Sequence, residues 1–91
     1  MIYETRNHWL INEKGKKIDL TNLEHKLLLF LSNGKALTYS QLAKKLYNAK
    51  ADKYIIESIR VLKYRLQKKT KLKIKSVKNI GYVLNTEIYL K

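Results

Sequence analysis

Three stretches of this chain repeat apolar residues at the spacing of an amphipathic helix, and the first of them follows a capping box. In Thr21-Asn22-Leu23-Glu24 the threonine hydroxyl can accept a backbone N–H bond while the glutamate reaches back to the cap residue, which marks a helix start. An apolar stripe follows at spacing i, i+4, i+7 and i+8, made of Leu23, Leu27, Phe30 and Leu31. Because Ser32-Asn33-Gly34 favours a left-handed stop, the pattern predicts a helix over about 22–32.

The second stretch repeats the capping device at Thr38-Tyr39-Ser40-Gln41, with glutamine at the third helical position. A narrower apolar stripe lies behind it, made of Leu42, Ala43 and Leu46. We expect this short helix to end near Tyr47-Asn48, where apolar periodicity stops.

Asp52 can cap a third and longer helix, whose apolar residues fall within a narrow arc at 100° per residue. The core arc consists of Ile55, Ile59, Leu62 and Leu66. The opposite face mixes basic, aromatic and apolar side chains, with Lys63 and Arg65 on its flanks. It carries Tyr54, Glu57, Arg60, Val61, Tyr64 and Lys68.

Extended segments are predicted on both sides of the helices. Residues 8–12 and 16–20 flank a turn at Gly15, and residues 72–77 and 81–84 flank Lys78-Asn79-Ile80. The residues expected on the buried side of the N-terminal sheet are Trp9, Ile11, Ile18 and Leu20. The organisation is therefore α+β, with a small N-terminal antiparallel sheet, three helices and a C-terminal β-hairpin.

Lysine occupies alternate positions in the first strand of the C-terminal hairpin. Lys71, Lys73 and Lys75 share one face, opposite Leu72 and Ile74. Strict alternation would also place Val77 among the lysines, so we expect a twist or bulge before the turn.

Length and composition limit the possible classes of protein. The 91 residues are enough for a single domain, divided into a sheet at 1–20, a three-helix core at 21–69 and a hairpin with tail at 70–91. The absence of cysteine excludes disulfides, zinc fingers and thiol nucleophiles. No apolar run approaches the roughly 18 residues that span a bilayer, so we expect a cytoplasmic protein without a membrane partner.

Positive charge is concentrated in the second half of the chain. The sequence has 20 Lys and Arg against 7 Asp and Glu, a net charge of +13. The segment from Lys44 to Lys78 contains 13 of these basic residues and only Asp52 and Glu57 as acids, a local excess of +11. A scattered set of lysines would indicate solubility alone, whereas this clustering favours a polyanionic partner and steeply salt-dependent binding.

The exposed face of the third helix carries the candidate contacts to nucleic acid. Arg60 and Tyr64 can donate hydrogen bonds or stack. Val61 is either incidental surface or a contact to a thymine methyl, and Glu57 either balances local charge, which we favour, or accepts from a cytosine amine. No nucleophile motif, paired acid, phosphate loop or metal-ligand spacing accompanies His8 and His25, so we expect neither catalysis nor a cofactor or metal.

Four segments resemble, in the correct order, the C-terminal DNA-binding domain of OmpR/PhoB-type response regulators, a winged helix-turn-helix. They are LTNLEHKLLLFL at 20–31, LTYSQLAKKLY at 37–47, IESIRVLKYRL at 56–66 and IKSVKNIGYVL at 74–84. The resemblance implies a bacterial transcription regulator of a two-component system that binds double-stranded DNA as a head-to-tail homodimer on direct repeats. It also implies contact with RNA polymerase.

By position, the resemblance assigns the base-reading helix to the third helix and the wing to the C-terminal hairpin. Lys63 and Tyr64 would lie toward the DNA backbone, Lys78 would approach the minor groove, and Lys53, Lys68 and Ser76 complete the DNA-binding set. The residues implied near the bases are Tyr54, Glu57, Ser58, Arg60 and Val61.

The sequence also departs from the family pattern. Ile56 stands where an acidic residue is common, Val61 where an arginine often reads a base, and Asn79 where the first wing glycine is usual. The first strand of the family's sheet is expected to be truncated or absent, and the segment between the second and third helices is short. No receiver domain is present, so the chain is either an excised domain or a stand-alone regulator. A basic RNA-binding or ribosome-associated module and a winged helix for protein contact remain as alternatives.

Overall fold

The computed structural model describes residues 1–78 and 80–91, so the predicted turn residue Asn79 lies outside the described residues. Its elements, in chain order, are β1 (Ile2–Glu4), β2 (Trp9–Ile11), β3 (Lys17–Asp19), α1 (Asn22–Leu31), β4 (Leu37–Thr38), α2 (Tyr39–Tyr47), α3 (Lys53–Thr70), β5 (Ile74–Val77), β6 (Gly81–Leu84) and β7 (Tyr89–Leu90). The predicted order of sheet, three helices and hairpin is confirmed.

The helices begin at the residues that the caps predict. Thr21 and Thr38 each form both bonds of a capping box, and the Asp52 carboxylate accepts from the Ile55 backbone N–H at 2.9 Å. The last two helices end on left-handed residues, Asn48 (φ 51°) and Lys71 (φ 63°). Helix boundaries were therefore predictable because local backbone chemistry sets them.

The N-terminal sheet has a first strand of three residues, and it corrects the prediction of which side chains are buried. β1 is present, pairs antiparallel with β2 and is flanked on its other side by β7, which runs parallel to it, giving the strand order β3-β2-β1-β7. The buried pair in this sheet is Tyr3 and Leu10, both 0% exposed, whereas Trp9 and Ile11 are only half-buried. Since neighbouring residues of a strand point to opposite faces, burying Leu10 turns Trp9 and Ile11 away from the core.

The other residues predicted to lie in the core of this sheet differ in burial. Leu20 is buried, as expected, while Ile18 is half-buried opposite Leu10. The Lys17 ammonium lies 4.2 Å from the centre of the Trp9 ring, so the tryptophan packs under a lysine on the outer face of the sheet. A lone tryptophan predicted to be core therefore covers the outer face.

The C-terminal hairpin keeps an unbroken register up to its turn. Ile74 faces Leu84, and the pairing continues without an extra residue to Val77 facing Gly81. The bulge that was one of the two expectations before the turn is therefore absent. Val77 lies on the same strand face as Lys75 and is half-buried there. Ile74, on the opposite face, is buried.

One ion pair, between a buried carboxylate and a partly exposed lysine, joins the start of α1 to the end of α3. The Glu24 side chain is 2% exposed and accepts from the Thr21 backbone N–H at 2.8 Å and from the Lys69 ammonium at 2.7 Å. Burial raises the pKa of the Glu24 carboxyl, but the bonds from Lys69 and Thr21 outweigh burial and hold the pKa below its usual range. This carboxylate therefore serves both the cap and the packing of two helices.

Removing the cationic partner should leave Glu24 incompletely compensated. We expect Lys69→Met to lower the free energy of unfolding at pH 7 by about 1 to 3 kcal/mol, measured by urea denaturation. Because the pKa of Glu24 is depressed in the fold, this stabilisation exists above the unfolded pKa and is lost as pH falls through the folded value. The difference between variant and parent should therefore shrink near pH 3.

Lys68→Met is the matched control because it removes an exposed lysine one residue earlier. It should change stability by less than about 0.5 kcal/mol. Equal losses for the two variants, or a loss at Lys69 that persists unchanged at acid pH, would contradict the role assigned to Glu24.

Two histidines from distant segments stack on each other beside the N-terminal sheet. The rings of His8 and His25 lie 3.7 Å apart with an angle of 11° between their planes, and the Tyr3 hydroxyl is hydrogen-bonded to Nδ1 of His25. Burial lowers the pKa of His25, and the charges of His8 and Lys26 lower it further. The stack therefore favours the neutral imidazole.

Stability should consequently decrease on mild acidification. The folded-state pKa of His25 lies below its ordinary value of 6.5, so its contribution is complete above that pH and is lost as pH falls through the folded pKa. Urea midpoints between pH 7.5 and 5 should fall for the parent and change less for His25→Gln, whose amide can still accept from Tyr3. An equal decrease in both proteins would exclude this histidine as the source.

Candidate nucleic-acid interface

The outward face of α3 is a continuous exposed surface that begins one residue after the Asp52 cap. The capping bond fixes the start of this 18-residue helix, and burial of Ile59, Leu62 and Leu66 fixes its rotation about its own axis. The opposite side chains are consequently turned to solvent: Tyr54 is 79% exposed and Tyr64 59% exposed. The predicted division of α3 into a core face and an outward face is confirmed.

One edge of this outward face lies against the C-terminal hairpin. The Lys63 ammonium is 5.0 Å from the centre of the Tyr82 ring, and the Tyr39 ring meets Tyr82 edge-on at 5.5 Å. Burial and, to a lesser extent, Tyr39 raise the pKa of Tyr82 to about 12, and the nearby Arg60 opposes part of this increase. The Tyr82 ring is therefore a neutral contact between α2, α3 and β6.

The other edge of the face borders a shallow groove beside α1 and α2. Leu23 from the first turn of α1 and Tyr47 from the last residue of α2 form its far wall. From α3 the groove is lined by Tyr54, Glu57, Ser58, Val61, Leu62 and Arg65. The two edges thus differ in chemistry, since basic and aromatic groups lie toward the hairpin and hydroxyl and apolar groups dominate the groove.

Three polar side chains of the face retain hydrogen-bonding capacity. The Ser58 hydroxyl donates to the Tyr54 carbonyl at 3.1 Å, which leaves its oxygen lone pairs able to accept. Arg60 and Glu57 approach to 3.7 Å, with side chains 59% and 67% exposed. A pair this exposed is worth little energetically, so both charges remain available to a ligand.

The tip of the hairpin is held against the start of α2. The Tyr39 backbone N–H donates to the Ile80 carbonyl at 2.9 Å, and Leu37 and Thr38 of β4 pair with Tyr82 and Gly81. Lys78 is exposed at this tip and Ser76 is exposed on β5. These bonds attach the hairpin, with Lys78 exposed near its turn, to β4 and the start of α2.

Basic residues dominate the surface formed by α3 and the hairpin. Within the helix, six lysines and arginines accompany Glu57 as the single acid. The hairpin strand β5 lies at an edge of its sheet and carries the exposed Lys75, and the flanking lysines Lys71, Lys73 and Lys78 are exposed as well. Unpaired strand edges are commonly protected by lysine, and here the same side chains extend the positive surface.

All eleven predicted site residues fall on this surface. Ten are exposed, and Lys63 is half-buried because its ammonium contacts Tyr82. Sequence reasoning missed Tyr39 and Ile80, which meet at the turn of the hairpin, and Leu23 and Tyr47 in the groove. Each of these residues lies outside α3 and is brought next to the interface by packing between elements, so no local sequence pattern identifies it.

Two other classes of site have no support in the part of the chain that the structure describes. Residues 1–78 and 80–91 contain no group of three or more histidine, acidic or cysteine side chains able to hold a metal ion. Nor does any helix in those ranges combine the length and apolar character required to cross a bilayer.

Solved structures with the same arrangement of elements are DNA-binding domains of bacterial regulators. The DNA-binding domain of Bacillus subtilis CssR is 24% identical with a TM-score of 0.69, covering 84% of this chain and 89% of its own. The Klebsiella pneumoniae RstA DNA-binding domain, crystallised with the RstA box, is 23% identical with a TM-score of 0.69, covering 84% of this chain and 89% of its own. The DNA-binding domain of the response regulator AdeR, in complex with an intercistronic region, is 22% identical with a TM-score of 0.73, and the match covers 92% of each chain.

This chain has the winged helix-turn-helix fold of response-regulator DNA-binding domains. The resemblance to the OmpR/PhoB type is thereby confirmed in three dimensions. No protein-family model matches the sequence, and no curated protein matches it either. In the terms of this fold, α2 and α3 form the helix-turn-helix, and β5 and β6 form the wing.

Attachment of the wing should depend on the missing side chain of Gly81. A Cβ at this position would lie 1.8 Å from the Leu37 carbonyl oxygen and 2.8 Å from the Thr38 Cα, so β4 and β6 could not pair as they do. We expect Gly81→Ala to lower the free energy of unfolding by at least about 2 kcal/mol, measured by urea denaturation.

Gly34→Ala is the matched control for this substitution. Gly34 has a φ of +77° and nothing within 4 Å of its hypothetical Cβ, so only backbone strain of about 1 kcal/mol should result. A Gly81→Ala protein as stable as the parent would show that the wing does not need this close approach.

Proposed function

We propose that this protein is a sequence-specific double-stranded DNA-binding transcriptional regulator, with α3 in the major groove and Lys78 of the wing at the minor groove or the backbone. The observation that carries the proposal is the juxtaposition of one exposed helical face with a basic hairpin fixed beside it. At 1.5 Å per residue, the 18 residues of α3 form a rod of about 27 Å. The major groove, about 12 Å wide, accepts such a helix.

The charge distribution supports contact with phosphates on both sides of that groove. A helix lying in the groove has a DNA backbone along each edge, and the wing lysines extend the positive surface beyond one of them. We assign Lys53, Lys63, Tyr64, Lys68 and Ser76 to the backbone. The middle of the face would then meet the base edges through Tyr54, Glu57, Ser58, Arg60 and Val61.

The solved neighbours support the same class of ligand. RstA was crystallised with the RstA box and AdeR with an intercistronic region, so two domains of this fold are described with DNA. By analogy with the family that the sequence resembles, we propose binding as a head-to-tail homodimer on direct repeats and contact with RNA polymerase. Only residues 48–52 separate α2 from α3, so we do not assign the polymerase contact to this loop.

A selection of bound duplexes from a random pool tests the proposal directly. We expect a recovered sequence to bind at least about 10³ times more tightly than random DNA at about 150 mM salt. Arg60→Ala should change which sequences are recovered. Lys78→Ala should weaken all duplexes similarly and reduce the slope of log K against log salt by about 0.9, because one phosphate contact is lost.

Lys14→Ala provides a matched control, since it removes an exposed lysine from the turn between β2 and β3. It should leave the recovered sequences and the salt slope unchanged. Absence of any preferred duplex would refute the proposal, and higher affinity for structured RNA than for duplex DNA would identify an RNA-binding module. Retention of regulatory function after loss of both Arg60 and Lys78 would instead identify a surface for protein contact.

A further inference from the structure

Val61 differs chemically from every other exposed residue of α3. It is 40% exposed, and within α3, all of whose residues the structure describes, it is the single aliphatic side chain classed with the exposed residues. Val61 lies one turn after Ser58 and two turns after Tyr54, so the three line the same side of the helix. An isolated surface valine needs no explanation, but this one lies in the middle of the proposed base-reading face.

A valine in the major groove has few favourable partners. It can form no hydrogen bond to a phosphate or to the polar atoms of a base edge, and it prevents water from reaching those atoms. The apolar group that the four base pairs present in this groove is the C5-methyl group of thymine. A purine or cytosine opposite Val61 would therefore lose hydration without compensation, whereas a thymine would bury two apolar groups together.

The surroundings of Val61 favour this contact further. Its groove neighbours Leu23 and Leu62 are aliphatic, so the part of the wall next to the valine is apolar, while Tyr54, Ser58 and Arg65 line other parts of the same groove. The charged groups nearest the wing, Arg60 and Lys63, lie on the opposite edge of the face with Tyr82. Val61 thus lies on the edge where apolar and hydroxyl groups predominate, away from the cationic edge beside the wing.

We propose that Val61 is a specificity-determining residue that reads the 5-methyl group of a thymine in each half-site. The proposal rests on the function proposed above, because it requires α3 to lie in the major groove. It assigns to this protein a half-site with an obligatory thymine opposite the centre of α3. If Val61 instead contacted another protein, replacing thymine by uracil in DNA would have no effect on that contact.

Single replacement of each thymine by deoxyuridine in the selected duplex tests the methyl contact. Uracil keeps the base pair and the O4 acceptor and lacks only the methyl group. For the parent protein we expect one position per half-site at which the replacement weakens binding about fourfold, the effect of one buried methyl-sized group. Val61→Ala should bind the thymine and uracil duplexes equally at that position.

Two further variants make the result specific. Val61→Leu retains an aliphatic side chain and should remain sensitive to uracil, while Leu90→Ala removes an exposed aliphatic residue in the other sheet and should behave as the parent does. Thermal unfolding of each variant checks that the fold is retained, which we expect because Val61 and Leu90 are both exposed.

The outcomes separate this inference from the proposed function. If a specific duplex is recovered and the parent tolerates uracil at every position, DNA binding stands and the thymine contact is refuted. The thymine contact is also refuted if Val61→Ala still binds the thymine duplex about fourfold more tightly than the uracil duplex. This includes the case in which the variant binds both duplexes more weakly but keeps that ratio. If no specific duplex is recovered, the proposed function and this inference are both refuted.

Discussion

The Glu24 carboxylate ties the start of α1 to the end of α3, and the candidate interface on α3 depends on that contact. One oxygen of a side chain that is 2% exposed receives both the backbone N–H of Thr21 and the ammonium of Lys69, which comes from the far end of α3. A buried carboxylate without these partners would cost several kcal/mol, so α1 and α3 are constrained to meet at this point. The axis of α3 is thereby anchored near its C-terminal end.

Packing of the helix face then decides which side chains reach solvent. With Ile59, Leu62 and Leu66 buried, the residues half a turn away must point outward, and Tyr54, Arg60, Val61 and Tyr64 do so. The wing is attached to this frame by the Tyr82 contacts and by the close approach of Gly81 to Leu37. The wing and α3 are consequently held side by side, which is the property that a two-part contact with duplex DNA requires.

The parts of the fold that depend on only a few neighbouring residues, such as helix caps and helical periodicity, were predictable from the sequence. Capping boxes located the starts of α1 and α2, Asp52 located the start of α3, and helical periodicity separated its core face from its outward face. Predictions failed where the partner of a residue lies far along the chain. Trp9 and Ile11 were expected inside because an isolated strand does not reveal which of its two faces the rest of the protein will cover.

The sequence by itself determined the three helices, the hairpin, the basic half of the chain and the outward face of α3, because caps, periodicity and charge are local properties. Tertiary structure alone decided that β7 returns to β1, that His8 stacks on His25, that Lys69 reaches Glu24 and that Leu23 and Tyr47 form a groove beside Val61. Each of these contacts joins residues far apart in the chain or on different elements. Their geometry follows from how whole elements pack, and no pattern within a single element specifies it.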